Sequence, residues 1–156
     1  MIEYMDVDVD VDRESLELIQ PSWEQLRDHH ASLSTYFSEQ IAKDIFENRI
    51  KNILEKNSEG KVKIILAQNT ETNKIIGYCI SSIDKHRQGE IDSIYIVDGF
   101  RRKGVGDVLL GRTLKWLKNE GIKNISLSVM FGNEEVFKFY ERHGFYPRTY
   151  VLKYLE

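Results

Sequence analysis

The sequence contains little cysteine and little proline, and both shortages limit what kind of protein this can be. The single cysteine, Cys79, excludes an internal disulfide and a zinc site built from several cysteines. It lies in the apolar run 75–80, which favours a small core residue over a thiol nucleophile. There are only two prolines among 156 residues, and no segment rich in Pro, Gly or Ser divides the chain. We therefore expect a single domain over residues 1–156.

Long apolar runs and an excess of one charge are also missing. No run approaches the roughly 18 residues of a membrane span. The net charge of −3 gives no general reason to expect nucleic-acid binding. The N-terminal sequence MIEYMDVDVDVD is acidic and lacks the basic-then-apolar layout of a signal peptide. These features predict a cytoplasmic protein that binds neither nucleic acid nor membranes.

Two features could suggest a metal site, and neither is convincing. Aspartate alternates with valine from Asp6 to Asp12, but a linear alternating run cannot wrap an ion without turn residues. We interpret residues 1–12 as an acidic tail or a frayed edge strand. His29 and His30 are adjacent on a predicted helix, where neighbours point about 100° apart, and no third ligand is evident. No metal is expected.

The remaining sequence alternates between strand and helix patterns. Ser22 is the predicted N-cap of the first helix. The order is β, α, α, β, β, β, α, β, α, β, which predicts an α/β fold, more narrowly an α+β arrangement with a mixed sheet flanked by helices. The predicted strands cover residues 15–19, 61–69, 74–83, 90–97 and 125–129, and residues 145–155 supply one last strand or a pair of strands. One predicted helix begins at Ser22, a second covers residues 38–56, a third has its apolar positions between Val108 and Leu117, and a fourth covers residues 133–142.

A basic turn between a buried strand and a helix is the most informative stretch. The strand ends at Asp98-Gly99, and the turn Arg101-Arg102-Lys103-Gly104-Val105-Gly106 follows. Free N–H groups and the helix dipole make such a helix N-terminus an anion site. Glycine lets the backbone approach the ligand closely. The three cations strengthen the prediction of a phosphate ligand.

Two motifs carry a resemblance to a known family. Arg101-x-x-Gly104-x-Gly106 is similar to the Gln/Arg-x-x-Gly-x-Gly/Ala signature of the GNAT superfamily of acyl-CoA-dependent N-acyltransferases. The run from Asn133 to Phe145 is similar to that family's Asn-x-x-Ala-x-x-Phe-Tyr-Glu-x-x-Gly-Phe, with Val136 where the family usually has Ala. The predicted order of strands and helices also matches over residues 15–155.

The resemblance implies a fold and a co-substrate. The fold would be a central, mostly antiparallel mixed sheet, splayed between its fourth and fifth strands. Acetyl-CoA would bind there, with its pyrophosphate on the amides of the turn. A backbone N–H near Ile96 or Val97, beside a bulge, would bind the developing oxyanion, and Asn133 would contact the pantetheine arm. The expected cofactor-binding residues are Ile96, Val97, Arg101, Arg102, Lys103, Gly104, Val105, Gly106, Asn133 and Tyr140.

The catalytic residues are expected on the fourth strand and the last helix. Tyr140 stands where the family motif has the tyrosine that protonates the departing thiolate. Glu90 is the first candidate for the base, and Asp92, on the same face by strand alternation, is the second. Two carboxylates at this spacing would raise one pKa and favour a base near neutrality. Ordered water remains an alternative to either.

The acceptor is expected to be a primary amine, either small or part of a peptide. In the resembled fold the early helices and a late loop wall its pocket, so Trp23, His30, Phe37 and Tyr146 are candidates. These aromatic residues would serve a core equally well. The resemblance also allows a homodimer. The alternative function is a non-catalytic acyl-CoA sensor or interaction domain.

Overall fold

A five-stranded mixed sheet forms the centre of the protein. The structure is a computed structural model that describes residues 1–10 and 13–156. The strands lie side by side in chain order, β1 to β4 antiparallel and β5 parallel to β4. This confirms the predicted mixed, mostly antiparallel sheet. The strands are β1 Ile2–Val7, β2 Lys61–Asn69, β3 Lys74–Ile83, β4 Gly89–Ile96 and β5 Ile125–Leu127.

Helices cover both faces of the sheet and create two separate cores. The first core joins α1, α2 and α4 to one face, and Trp23, Phe46 and Tyr78 are among its members. The second joins α5 and α6 to the other face through residues such as Leu109. Within the described residues no helix is both long and apolar enough to span a membrane. The helices are α1 Arg13–Glu17, α2 Gln20–Leu33, α3 Ser38–Ala42, α4 Phe46–Glu59, α5 Val105–Asn119 and α6 Phe137–Arg142, the last preceded by a 3-10 turn at Glu134–Val136.

The sheet opens between β4 and β5. The two strands pair only from Gly89 to Ile91 on the β4 side. On the β3 side, Ile80 faces Ser93 while Ser81 faces Ile91, which leaves Asp92 as one extra residue in β4. Such a bulge bends the strand and increases its twist. The predicted splay is therefore present, and its bulge lies at Asp92 rather than at Ile96 or Val97.

The start of the chain differs from the prediction. The predicted strand at 15–19 is wrong, because residues 13–17 form α1 and bury Leu16 in the first core. The first strand is instead β1, so the acidic N-terminal segment forms an edge strand, which was one of its two predicted states. The last two residues of that segment, 11 and 12, lie outside the described residues. Ser22 is not a cap: α2 begins earlier, at Gln20, and Ser22 is buried within its first turn.

Two further predictions fail. The predicted helix 38–56 is divided into α3 and α4 by residues 43–45. The predicted strand at 145–155 is absent, and residues 146–156 are exposed without regular structure. Composition favours a strand there, but a strand also needs a hydrogen-bonding partner. Within the described residues, this segment has none.

Candidate active site

The turn before α5 presents backbone rather than side chains. Gly104 is the N-cap residue of α5, with φ of 82° and no side-chain cap, so the first N–H groups of the helix lack a capping partner from it. A Cβ atom built on Gly104 would meet nothing within 4 Å, so the space beside this turn is open. Arg102 and Gly99 also have positive φ, 62° and 92°. The geometry fits the predicted pyrophosphate cradle.

Two of the three cations of the turn are held by the turn itself. The Arg101 Nε donates to the Ile96 carbonyl at 3.0 Å, and its Nη1 lies 3.2 Å from an Asp98 carboxylate oxygen. The Lys103 Nζ lies 5.4 Å from the centre of the Phe100 ring. Arg101 therefore braces the end of β4, and the backbone amides are the groups best placed to contact a phosphate.

Contacts between α5 and α6 fix the position of Tyr140. A Cβ atom on Gly106 would lie 3.1 Å from the Phe139 ring, so any larger residue there would force the ring to shift by a few tenths of an ångström. Asp107 accepts a hydrogen bond from Arg142 at 3.0 Å and lies 2.8 Å from His143 Nε2. The hydrogen bond with His143 is the main cause of the lowered pKa of Asp107. The sequence does not reveal this link, because no spacing rule joins residues so far apart in the chain.

Tyr140 is held in its protonated form. Its ring packs between Phe139 and Phe145, with ring centres 5.2 and 6.2 Å away. Burial raises the pKa of Tyr140 to about 12, so the phenol stays protonated at neutral pH. A protonated phenol can transfer its hydrogen to a thiolate.

Asn133 provides the test of whether an acyl-CoA arm fits the opening. The residue is 7% exposed, and its Oδ1 atom has no hydrogen-bond partner among the described residues. A buried amide oxygen left without a donor costs free energy, so it calls for a partner. The pantetheine arm of coenzyme A carries amide N–H groups that could satisfy it. The residues present therefore fit this co-substrate.

Of the two predicted oxyanion donors, only Ile96 remains available. The Val97 N–H donates to the Ile76 carbonyl at 2.9 Å, so the structure excludes Val97 from that role. N–H groups alternate sides along an antiparallel strand, so the Ile96 N–H points away from β3. On that side β5 has already ended at Leu127. The Ile96 N–H thus faces the opening.

The two candidate bases lie on one face, as predicted, but they have different partners. Lys56, on α4, contacts an Asp92 oxygen and lies 3.7 Å from Glu90 Oε1. The Ser82 hydroxyl donates to the other Asp92 oxygen at 2.7 Å. The Asp92 side chain is 2% exposed, whereas that of Glu90 is 47% exposed. Asp92 is therefore fully engaged, and Glu90 keeps an accessible carboxylate.

The pKa of Glu90 is raised above its ordinary value. Burial is the largest cause, and the nearby charge of Asp92 adds to it, while Lys56 acts in the opposite direction. Like charges and desolvation both disfavour the ionised carboxylate. The spacing of the two carboxylates predicts this effect, but the sequence does not reveal Lys56 and Ser82, which determine which carboxylate remains accessible.

The four residues predicted to bind the acceptor differ in their burial and surroundings. Trp23 is 5% exposed and packs 5.5 Å from Phe46, so it belongs to the first core. Burial, then the charge of neighbouring His29, lowers the pKa of the half-buried His30. Phe37 is half-buried, and Tyr146 is 72% exposed in the C-terminal segment.

Cys79 does not serve as a nucleophile. It is completely buried, and burial raises its pKa to about 12, so its thiol keeps its proton. Among the described residues, no group of three His, Cys, Asp or Glu side chains is arranged to hold a metal ion.

The mixed sheet that opens after a bulge, followed by a glycine turn at a helix N-terminus, defines the acyl-CoA acyltransferase class of fold. Residues 23–145 match the Acetyltransferase (GNAT) family, and the chain belongs to that family. The predicted family, fold and class of enzyme are thus confirmed.

Individual relatives cover different parts of the chain. N-alpha-acetyltransferase 30 of Schizosaccharomyces pombe is 32% identical over 127 residues, which are 73% of this chain and 85% of that protein. An uncharacterized N-acetyltransferase of Methanocaldococcus jannaschii is 32% identical over 76 residues, 49% of this chain. The match spans only 34% of the length of the M. jannaschii protein.

Solved structures show the same fold. A Pyrococcus furiosus protein described as an acetyl transferase superposes with a TM-score of 0.67 at 26% identity, covering 99% of this chain and all of that one. A GCN5-related N-acetyltransferase of Ralstonia eutropha gives a TM-score of 0.75 at 17% identity, covering 99% of both chains. The aminoglycoside N-acetyltransferase AAC(6')-Iy in complex with CoA gives 0.67 at 17% identity, covering 99% of this chain and 98% of its own.

Proposed function

We propose that this protein transfers an acetyl group from acetyl-CoA to a primary amine by direct attack in a ternary complex. The observation that carries the proposal is the difference between two neighbouring carboxylates. Asp92 is buried and saturated by Lys56 and Ser82, whereas Glu90 is accessible and has a raised pKa. An acyl-CoA sensor has no need of a free base beside the opening of the sheet.

The amides from Arg101 to Gly106 would hold the pyrophosphate. Asn133 would accept a hydrogen bond from the pantetheine arm, and the splay between β4 and β5 would admit that arm. Acetyl-CoA supplies an activated thioester. The charged side chains of the turn would act mainly by attracting the phosphates, since Arg101 and Lys103 are already engaged by neighbours.

A different group of the protein would then act on each reacting atom, the amine nitrogen, the carbonyl oxygen and the sulfur. Glu90, directly or through water, would remove a proton from the acceptor ammonium, which otherwise has a pKa of about 10.4 if it resembles lysine. The Ile96 N–H would donate to the carbonyl oxygen as negative charge develops there. Tyr140 would protonate the departing sulfur. A C–N bond forms and the C–S bond breaks. The second proton lost by the nitrogen would pass through water to Tyr140 and replace the one given to sulfur, while Glu90 would release its proton to solvent, and free coenzyme A leaves as the thiol.

The acceptor class is proposed as amines of small molecules or peptides. The names of similar proteins support both acceptor classes, because one relative is an N-alpha-acetyltransferase and structures of similar fold are aminoglycoside acetyltransferases. Glu90 and Asp92 together outweigh the single positive charge of Lys56, so the region carries a net negative charge that favours a cationic amine. Peptides with a free α-amine are the first acceptors to test, because that relative aligns over most of its length.

A thiol-release assay with acetyl-CoA and a panel of peptide and small amines tests the proposal. Release that depends on the amine, together with acetylated product by mass spectrometry, is expected. Tight binding of coenzyme A by calorimetry with no turnover on any amine would favour the alternative, a non-catalytic acyl-CoA sensor.

A further inference from the structure

A row of polar side chains on α4 lies over the sheet beside the two candidate bases. Arg49, Asn52 and Lys56 follow one another at helical spacing, and all three are half-buried. They flank the apolar residues Phe46 and Ile53, which hold α4 against the first core. The row therefore runs along the seam between α4 and the sheet, where part of each side chain remains accessible.

The two ends of this row differ in charge. At one end Lys56 contacts Asp92 and lies 3.7 Å from Glu90 Oε1, so one cation faces two carboxylates. At the other end Arg49 forms no ion pair among the described residues. Its Nη1 donates to Asn52 Oδ1 at 3.4 Å, a long hydrogen bond to a neutral group. The seam is thus negative at the Glu90 end and positive at the Arg49 end.

The Arg49 end of the seam lies near the middle of β4. The Tyr78 hydroxyl, on β3, is 2.8 Å from Ser93 Oγ on β4. Burial raises the pKa of Tyr78, and the hydrogen bond with Ser93 and the positive charge of Arg49 oppose the rise, so Arg49 lies near that hydroxyl. Arg49 and Lys56 are seven residues apart on one helix, which is about 10 Å along its axis. Glu90 and Ser93 are three residues apart on one strand, which is again about 10 Å.

A half-buried arginine without a counter-charge calls for an anionic partner. Its guanidinium loses hydration in the seam, and no carboxylate of the described residues compensates for that loss. The planar fork of a guanidinium binds a carboxylate through two parallel hydrogen bonds. A carboxylate carried by a ligand would supply the partner that Arg49 lacks.

We propose that Arg49 binds a carboxylate of the acceptor, so that the favoured acceptor carries a free amine at one end and an acidic group about 10 Å away. The inference rests on the proposed acetyl transfer, because that function places the amine beside Glu90. An extended peptide rises about 3.3 Å per residue. An acidic side chain at the second or third residue of a peptide can therefore reach Arg49 while the α-amine lies beside Glu90.

Matched peptides test the inference in the unaltered chain. The acceptors share one sequence with a free α-amine and differ only at the third residue, which is glutamate, glutamine or arginine. A second set is varied in the same way at the second residue. In at least one set, kcat/KM should be about tenfold higher for the glutamate peptide than for its glutamine match, mainly through a lower KM, and lowest for the arginine peptide. Equal values for all three peptides in both sets would overturn the inference.

Substitutions on α4 show whether Arg49 is the group responsible. Arg49→Gln should abolish the preference for the glutamate peptide, and Arg49→Glu should reverse it in favour of the arginine peptide. Lys51 is exposed two residues further along the same helix, so it points about 200° away. Lys51→Glu changes the net charge by the same amount as Arg49→Glu and should leave the preference unchanged. The Kd for coenzyme A should be the same in every variant.

A merely structural role of Arg49 would give a different result. In that case Arg49→Gln would lower the melting temperature or reduce kcat/KM equally for all three peptides, and the glutamate preference would persist. Either outcome would overturn the inference.

Failure of the proposed function is distinguishable from failure of this inference. Turnover of peptides without any preference for glutamate would overturn the inference alone. If no amine were acetylated, the proposed function would be wrong, and calorimetry with the chain saturated with coenzyme A would still test Arg49. The glutamate peptide should then bind about tenfold more tightly than its glutamine match, and equal affinities would overturn the inference as well.

Discussion

The two ends of β4 present different kinds of chemical groups, charged side chains at one end and backbone amides beyond the other. At its start, Glu90 and Asp92 carry charged side chains whose state depends on Lys56 and Ser82. Beyond its other end, the turn to Gly106 offers backbone amides, and its side chains mostly brace the turn. Under the proposed function, the contrast teaches that binding of coenzyme A would rest on main-chain geometry, whereas the chemistry would rest on the balance between neighbouring charges. Substitutions at the two ends should therefore impair different properties, the affinity for coenzyme A at the turn and the catalytic rate at the carboxylates.

The largest loss of coenzyme A affinity is expected at the backbone end. Gly106→Asp would place a Cβ atom 3.1 Å from Phe139 and 3.3 Å from Ile96, and would add negative charge beside the proposed pyrophosphate site. Affinity for coenzyme A should fall by about 100-fold or more, roughly 2.7 kcal/mol. Calorimetric titration with coenzyme A measures this.

The matched control for that substitution is on the same helix. A Cβ atom on Gly111 would meet nothing within 4 Å, and the residue is exposed. Gly111→Asp should therefore bind coenzyme A normally. If Gly106→Asp also bound it normally while folded, the cradle would have to lie elsewhere.

At the carboxylate end, the rate should change without a change in affinity. Glu90→Gln keeps the shape of the side chain but removes the base, so kcat/KM for the amine should fall about 10³-fold, while the Kd for acetyl-CoA stays the same. Steady-state kinetics and calorimetry together give the two numbers.

Asp92→Asn is the informative comparison for Glu90→Gln. It removes the negative charge that pairs with Lys56, so it should lower the free energy of unfolding by about 2 kcal/mol. It should reduce the rate far less than Glu90→Gln does. Thermal unfolding and kinetics distinguish the two outcomes. A stable Asp92→Asn protein that had lost as much rate as Glu90→Gln would reverse the proposed roles.

Tyr140→Phe should have a smaller effect on the rate. Water can replace the phenol in part, so a loss of about 10²-fold in kcat is expected, with coenzyme A affinity nearly unchanged. Because the pKa of Tyr140 is raised to about 12, its titration should not produce an alkaline limb near neutral pH. Tyr154→Phe, at a tyrosine that is 86% exposed, is the control. A large loss of affinity in Tyr140→Phe would argue against a role as the acid.

Local sequence patterns predicted the backbone end of the site and the strands that support it. β2 and β3 occur at the residues predicted, because their composition and the polar turn between them agree. The turn before α5 was predicted because its glycines and cations are consecutive in the sequence. Each of these features is determined within a few residues.

What could not be predicted depends on contacts between distant residues. Lys56 reaches Asp92 from another element, and Asp107 meets His143 across two helices. Trp23 is of a residue type that often lines a binding pocket, but tertiary packing buries it against Phe46. The segment after Phe145 has the composition of a strand, and only the sheet decides whether it pairs.

The smallest predicted effect is a shift in pH dependence on removing Lys56. Lys56 lowers the pKa of Glu90 against burial and the charge of Asp92, so Lys56→Gln should raise that pKa further. A base works only when deprotonated, so the acid limb of kcat/KM should move to higher pH. Lys56→Arg keeps the positive charge and should leave the limb near its original position. A limb that moved to lower pH, or that moved equally in both variants, would mean that Glu90 is not the group whose ionisation controls the rate.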